Sequence, residues 1–307
     1  MGPVLRSVVV GAALAIASVA AHAGNIVDPF FGPGTYASWI DMVTATQAAQ
    51  PRWMTPLVTV TPRLEQEIRW DFYDQRNAPA TSPNGNGQTL VNYGGPGGLR
   101  VEFIPTPNIE IILAAPPIEQ GFGPKGSAQG VGDWPVFLAK YRILAGNEDN
   151  CNCILSAFFQ MSDPSGTLAK ISNNVYIAQP TIAFGKGWGD FDIQATISEQ
   201  FPYAALASPG TPANVNLTNF GDPVLVNAAF QYHLMQYFWP ELEVNYEYWP
   251  NGEHVNLSQV LLTPGIIFGR FSLGGRENLI FGVGYQFAVT PNPVVSNNVV
   301  VTARLTF

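Results

Sequence analysis

Along most of this chain apolar and polar side chains alternate with a period of two, and the gaps between the alternating runs switch between long and short. Runs bounded by Gly, Pro, Asn and Asp clusters fall near 56–73, 99–104, 109–115, 134–144, 153–162, 174–186, 190–200, 224–238, 241–249, 257–269, 278–289 and 298–307. The first, third, fifth and seventh connections (74–98, 116–133, 163–173 and 201–223) are long. The second, fourth, sixth and eighth (105–108, 145–152, 187–189 and 239–240) are shorter, and the ninth, tenth and eleventh (250–256, 270–277 and 290–297) are of nearly equal length. Outer-membrane barrels combine long extracellular loops with short periplasmic turns, whereas a soluble β-sandwich has no reason to alternate this way. The expected fold is all-β, a transmembrane antiparallel up-and-down β-barrel of about twelve strands, with fourteen as the alternative count. The second run is short for a crossing, and Gln88 to Tyr93 would extend it through a glycine bend at Gly94–Gly98.

The runs sort into two faces. In the first, Leu64, Ile68, Trp70 and Phe72 oppose Glu65, Glu67, Arg69 and Asp71; in the seventh, Phe191, Ile193, Ala195 and Ile197 oppose Asp190, Asp192, Gln194 and Thr196. In the ninth, Leu242, Val244, Tyr246 and Tyr248 oppose Glu241, Glu243, Asn245 and Glu247. A charge in hydrocarbon costs a few kcal/mol near the midplane, so the charged set belongs to the lumen. The lumen candidates are Glu65, Glu67, Arg69, Asp71, Lys140, Arg142, Asp190, Asp192, His233, Glu243, Glu247 and Arg304, with Arg100, Glu102, Glu110 and Glu241 beside them. Cross-strand ion pairs are the expected role of this mixed set; a net negative interior that disfavours anions is the alternative. Trp134, Trp188, Trp239 and Trp249 fall near strand ends, where an interfacial girdle is expected.

Both ends of the chain agree with this compartment. The final run places Val299, Val301, Ala303, Leu305 and Phe307 on one face and Val300, Thr302, Arg304 and Thr306 on the other, so Phe307 is expected to act as the signal read by the barrel assembly machinery. At the start, Arg6 precedes an apolar run from Val8 to Ala20 and the small-x-small triplet Ala21-His22-Ala23. That run is too short for a membrane-spanning helix of about twenty residues and reads as a signal peptide, 1–23. Removing it takes away one base and no acid, making the formal charge of −8 more negative by one, which excludes a nucleic-acid binder with its basic face. The chain is 47% hydrophobic but only 12% charged, too little charge to cover a soluble surface and enough for a wall that faces lipid. Outer-membrane lipids are therefore expected partners.

Residues 24–53 precede the barrel proper, 54–307, and contain no strand pattern. Thr35 is placed to cap a short helix carrying Trp39, Met42 and Val43 and ended by Pro51. With Phe30, Phe31, Trp39 and Ile40 needing burial, this segment reads as a plug, with a periplasmic tail as the alternative.

The chain lacks the usual catalytic signatures. No HExxH, GxSxG or paired CxxC occurs, and neither His233 nor His254 is followed two residues later by serine, the arrangement of outer-membrane phospholipases. Gly121-Phe122-Gly123-Pro124-Lys125-Gly126 lacks the Ser/Thr and helix of a phosphate loop. Neither an enzymatic activity, a cofactor nor a metal is expected. Cys151 and Cys153 flank Asn152 in an expected periplasmic turn, and a local disulfide is the preferred reading.

Several short motifs carry a family likeness: Val91-Asn92-Tyr93-Gly94; Ile104-Pro105-Thr106-Pro107-Asn108-Ile109; Gly132-Asp133 followed by Ala139-Lys140-Tyr141-Arg142; and Gln179-Pro180 leading into Gly185-Lys186-Gly187-Trp188-Gly189. On these the chain resembles the outer-membrane barrels labelled as components of a phenol meta-cleavage pathway, or as transporters. The glycine-rich stretch Gly94–Gly98 and the Cys151-Asn152-Cys153 turn depart from that pattern. The resemblance implies a barrel that admits hydrophobic or aromatic compounds and supplies no catalytic residues. The expected function is an outer-membrane channel or transporter for small molecules of unnamed identity. The alternative is a non-conducting structural or adhesive barrel that binds ligands through its long loops.

Overall fold

The computed structural model describes residues 34–95, 98–124, 126–167, 175–205 and 220–307. The expected signal peptide, Phe30 and Phe31 lie outside them. Among the described residues no helix is long and apolar enough to cross a membrane.

Among the described residues one helix and sixteen strand segments follow in order: α1 (Thr35–Ala48), β1 (Glu67–Asn77), β2 (Thr89–Tyr93), β3 (Arg100–Thr106), β4 (Ile109–Ala114), β5 (Ile118–Gly123), β6 (Gly126–Val131), β7 (Trp134–Gly146) and β8 (Cys153–Asp163). β9 (Val175–Trp188), β10 (Phe191–Glu199), β11 (Phe201–Ala205), β12 (Val224–Tyr232), β13 (Phe238–Tyr248), β14 (Ser258–Gly274), β15 (Glu277–Ala288) and β16 (Val295–Thr306) complete the chain. All pairings are antiparallel, and β16 returns to pair with β1 from Glu67↔Thr306 to Asn77↔Val295, so the sheet closes on itself. Closure through β1 and β16 removes the two edges an open sheet would have, the condition for a sheet in lipid, while β6 and β11, at the loop ends of their crossings, each pair on one side.

The segments make twelve wall strands. β2 runs on into β3, β4 into β5, β6 into β7 and β10 into β11, each pair being two parts of one crossing. The break between β2 and β3 is the glycine bend: Gly94, Gly95 and Gly98 take φ of +116°, +70° and +67°, values that side chains with a Cβ rarely adopt. Above the bend Phe72 pairs with Tyr93, and below it Arg69 pairs with Arg100, so the wall continues across the bulge. Residues 116–133, expected as a long loop, instead form the β5–β6 hairpin with Gly123 opposite Gly126.

Alternation sorts the wall as expected for a barrel in lipid. Phe159, Ile182, Ile197, Leu242 and Val283 point outward and are 42–54% exposed, while their neighbours Phe158, Thr181, Ser198 and Glu243 point inward and are buried. The outer surface is thus an apolar band.

The first run is corrected. β1 begins at Glu67, and residues 56–66, placed in the first strand by their alternation, form no strand. Leu64 and Glu65 accordingly leave the wall. Pro56 and Pro62 have no N–H to donate to a ladder, and the segment passes through the barrel interior instead. The eighth wall strand also ends earlier than its pattern suggests, at Tyr232, leaving His233 in the turn before β13.

Candidate channel and its internal segment

α1 lies across one end of the barrel, tied to three turns of that rim. Val43 is fully buried against Leu64 and Ile104, with Trp39 and Met42 alongside, and the Trp39 indole N–H donates to the Ile104 carbonyl (2.7 Å). Thr35 is the first helical residue and Gly34, with φ +79°, takes the cap position, correcting the expected cap. The last carbonyls of a helix lack intrahelical donors. Here Arg142 Nη1 donates to Thr46 O (2.9 Å), its Nη2 to Pro107 O (2.7 Å), and Asn147 Nδ2 to Ala48 O (3.1 Å). Arg276 reaches Ile40 O (2.9 Å) and Thr44 Oγ1 from the opposite turn. Arg142→Ala is expected to speed amide exchange over 35–50 by at least about tenfold while the wall strands keep their protection, since about 1.4 kcal/mol per decade is less than one charged hydrogen bond. Hydrogen exchange by mass spectrometry reads this directly.

From Gln50 to Gln66 the chain turns inward. Having no ladder of its own, it must place its backbone N–H and C=O groups on the wall. Carboxylates take the donors: Glu243 accepts the N–H groups of Val58 (2.7 Å) and Thr59 (2.6 Å), Glu241 that of Leu57 (3.2 Å) and Glu110 that of Glu65. Cations take the acceptors: Arg304 donates to Thr55 O and Pro56 O (2.7 Å), Arg69 to Leu57 O (2.8 Å), Lys140 to Arg63 O (2.7 Å) and Arg270 to Trp53 O (3.1 Å). Neutral groups finish the set, with Gln194 donating to Met54 O (2.7 Å) and Ser156 to Pro62 O (2.6 Å).

Two niches hold its large side chains. Leu57 enters a recess where a Cβ on Gly265, Gly282 or Gly284 would stand 2.5–2.7 Å from its methyl carbons. Around it lie Met54, Tyr73, Trp239, Ile267 and Val300. Trp53 lies over Gly185 and Gly187 in the same manner, with a Gly187 Cβ only 2.7 Å from its ring nitrogen. Glycine on the inner face of these strands lets another part of the chain approach closely.

Most lumen candidates therefore serve the segment or one another. Arg69 pairs with Asp71 (2.9 Å), Arg100 with Asp71 (3.4 Å) and Glu102 (2.9 Å), and Lys140 with Glu110 (3.0 Å), all of them buried but Arg100, which is half-buried. Glu67 lies buried beneath them, and Glu65 pairs with Arg63 (2.9 Å) within the inner segment. Asp192 is buried and accepts from Gln194 (3.1 Å); Glu247 is half-buried and accepts from Gln259 (3.0 Å). Asp190 does not line the bore: it is exposed in the turn before β10, where the alternation no longer applies. His233, expected on a lumen-facing strand, lies just after β12 and stacks on Trp239 of β13, ring centroids 4.1 Å apart. Trp134 and Trp188 face outward, whereas Trp239 and Trp249 are buried and leave the expected girdle.

Cys151 and Cys153 are joined by a disulfide across Asn152. That turn meets the inward-turning chain, with Glu148 accepting from Arg52 N (2.5 Å). Phe307 is half-buried at the rim and donates its N–H to Gln66 O (3.1 Å).

On the far side of the segment from α1 the bore widens into a cavity of about 540 Å³, floored by Thr55, Val58, Thr59 and Thr61. Wall residues near the far strand ends, among them Gln75, Gln160, Gln179 and Gln259, line its upper part.

Neither a protein-family model nor a curated protein matches the chain. Solved structures do. An outer membrane channel from Pseudomonas putida F1 superposes with a TM-score of 0.51 at 12% identity, covering 80% of this chain and 96% of that one. The fold is that of an outer-membrane barrel. The beta domain of the Bordetella autotransporter BrkA (TM-score 0.46, 15% identity, 79% and 100% covered) and the NanC porin (0.45, 8%, 79% and 98%) are also similar. Together with the closed sheet and its apolar exterior, this fold places the chain in the bacterial outer membrane.

Proposed function

We propose that the protein is a channel for small molecules across the outer membrane, and that the segment 50–66 closes it in the state described here. One observation carries the reading: below a cavity of about 540 Å³ the bore is filled by a strandless, non-covalently held segment rather than by the wall's own side chains. The barrel closes through β1 and β16 without that segment, and the carboxylates and cations that hold it are groups that water can solvate once it leaves. Ile112, Leu138 and Phe158, buried in the wall and lining the cavity, give a solute an apolar patch to lie against.

In planar bilayers the full chain is expected to be nearly silent, and a form lacking residues 24–66 to conduct in discrete steps. Heat-modifiable migration on gels checks that the shortened barrel is folded. A folded but silent shortened barrel would overturn the channel reading and leave the non-conducting, ligand-binding barrel in its place.

A further inference from the structure

We infer that the cavity beyond the internal segment binds a neutral polyhydroxylated ring of monosaccharide size; its role as a solute site rests on the channel reading, its existence does not. At about 540 Å³ it falls within the roughly 300–1,000 Å³ of small-ligand pockets, and its two walls differ in kind.

One wall is a directed chain of uncharged amides. Asn298 Nδ2 donates to Gln286 (3.5 Å), Gln286 Nε2 to Asn245 (2.9 Å), Asn245 Nδ2 to Asn227 (2.9 Å) and Asn227 Nδ2 to Thr196 Oγ1 (3.2 Å). The links cross from β16 through β15, β13 and β12 to β10. A primary amide carries two N–H donors and a carbonyl with two lone pairs, so each link leaves a donor or an acceptor for a partner in the bore. The Asn298 carbonyl oxygen on this wall and the Thr59 hydroxyl on the floor are buried with no partner in the protein. Hydroxyl groups both donate and accept, and a row of them matches such a chain.

The facing wall, on β4, β7 and β8, carries an apolar patch: Ile112, Leu138 and Phe158 pack together there, with Lys140 and Gln160 beside them. A sugar ring presents C–H groups on its face and hydroxyls on its edge, and so satisfies both walls at once. Phenol offers one hydroxyl to a chain spanning five strands, and an alkane would leave buried amides without partners. Charged solutes find no counterpart. Arg69, Arg100 and Lys140 are already paired with Asp71, Glu102 and Glu110, and Glu247 is held by Gln259.

The test uses the full chain in detergent micelles and calorimetric titration with methyl β-glucoside, phenol, benzoate and choline. The glucoside is expected to saturate, while benzoate and choline give no heat of binding. Asn245→Leu and Gln286→Leu should each weaken the glucoside by about tenfold, the loss of one hydrogen bond left unmade. Phe158→Ala should weaken it from the other wall, which keeps the test decisive if an amide variant misfolds. Tighter binding of phenol or benzoate, no glucoside binding, or glucoside binding unchanged by substitutions on both walls would overturn the proposal. Liposome swelling separates the two readings. Glucoside binding without flux in any form retains the site and sinks the channel. Conductance by the shortened barrel without glucoside binding does the reverse.

Discussion

Leu57→Asp is expected to convert the silent full-length barrel into a conducting one while its wall stays folded. Leu57 is fully buried in the glycine recess among Met54, Trp239, Ile267 and Val300. A carboxylate placed there loses its hydration among apolar side chains, a penalty of several kcal/mol. Each hydrogen bond from the segment to a charged wall group contributes about 1.5–3 kcal/mol net while it is made. The penalty is the size of two or three such bonds, so it frees the stretch around Leu57, held by Glu241, Glu243 and Arg69, rather than the whole segment. Leu57→Ala should give only intermittent opening, since it leaves a cavity worth about 2–5 kcal/mol but no buried charge. Gly282→Val attacks the same contact from the wall, its Cβ falling 2.6 Å from a Leu57 methyl carbon, and should also open the bore. Bilayer conductance beside heat-modifiable gel migration reads all three. Folded but silent Leu57→Asp and Gly282→Val proteins, with a conducting shortened barrel, would show that the recess does not hold the segment.

The residues of that recess show where reading the chain stops. The wall strands are legible because a sheet between lipid and lumen has two unlike faces, and a period of two records both. The segment 56–66 has that period as well: Leu57, Thr59 and Thr61 face different surroundings from Val58 and Val60. An extended chain inside a tube meets wall on every side and imitates a strand. Only Pro56 and Pro62 speak against one. The charges present a similar ambiguity. Arg100 with Asp71 and Lys140 with Glu110 are the expected cross-strand ion pairs, but Arg69 pairs with Asp71 along its own strand, Glu241, Glu243 and Arg304 bind backbone groups, and no side-chain pattern names a backbone partner. Parity with Glu241 and Glu247 already puts Trp239 and Trp249 inside. Glycines at inner positions of β9, β14 and β15 mark the places where Trp53 and Leu57 approach. The stacking of His233 on Trp239 depends on where β12 stops, which alternation does not tell.

Adjacent residues of β10 give the sharpest contrast between lipid and lumen. Ile197 points outward and is 54% exposed, while Ser198 points into the cavity and is buried. Ile197→Arg places a guanidinium on the lipid face, at about 2–4 kcal/mol if near the midplane, and should sharply lower the folded fraction recovered in lipid vesicles under urea titration. Ser198→Arg puts the same group one position along the same strand, into a cavity that water reaches, and should fold nearly as well as the parent. Val283→Arg on β15, 43% exposed, repeats the outward case across the barrel and separates a property of the face from one of β10. Equal losses at 197 and 198 would mean that β10 rejects arginine for reasons of its own. Equal tolerance at 197, 198 and 283 would mean that the apolar band does not face lipid, and the membrane assignment would fall with it.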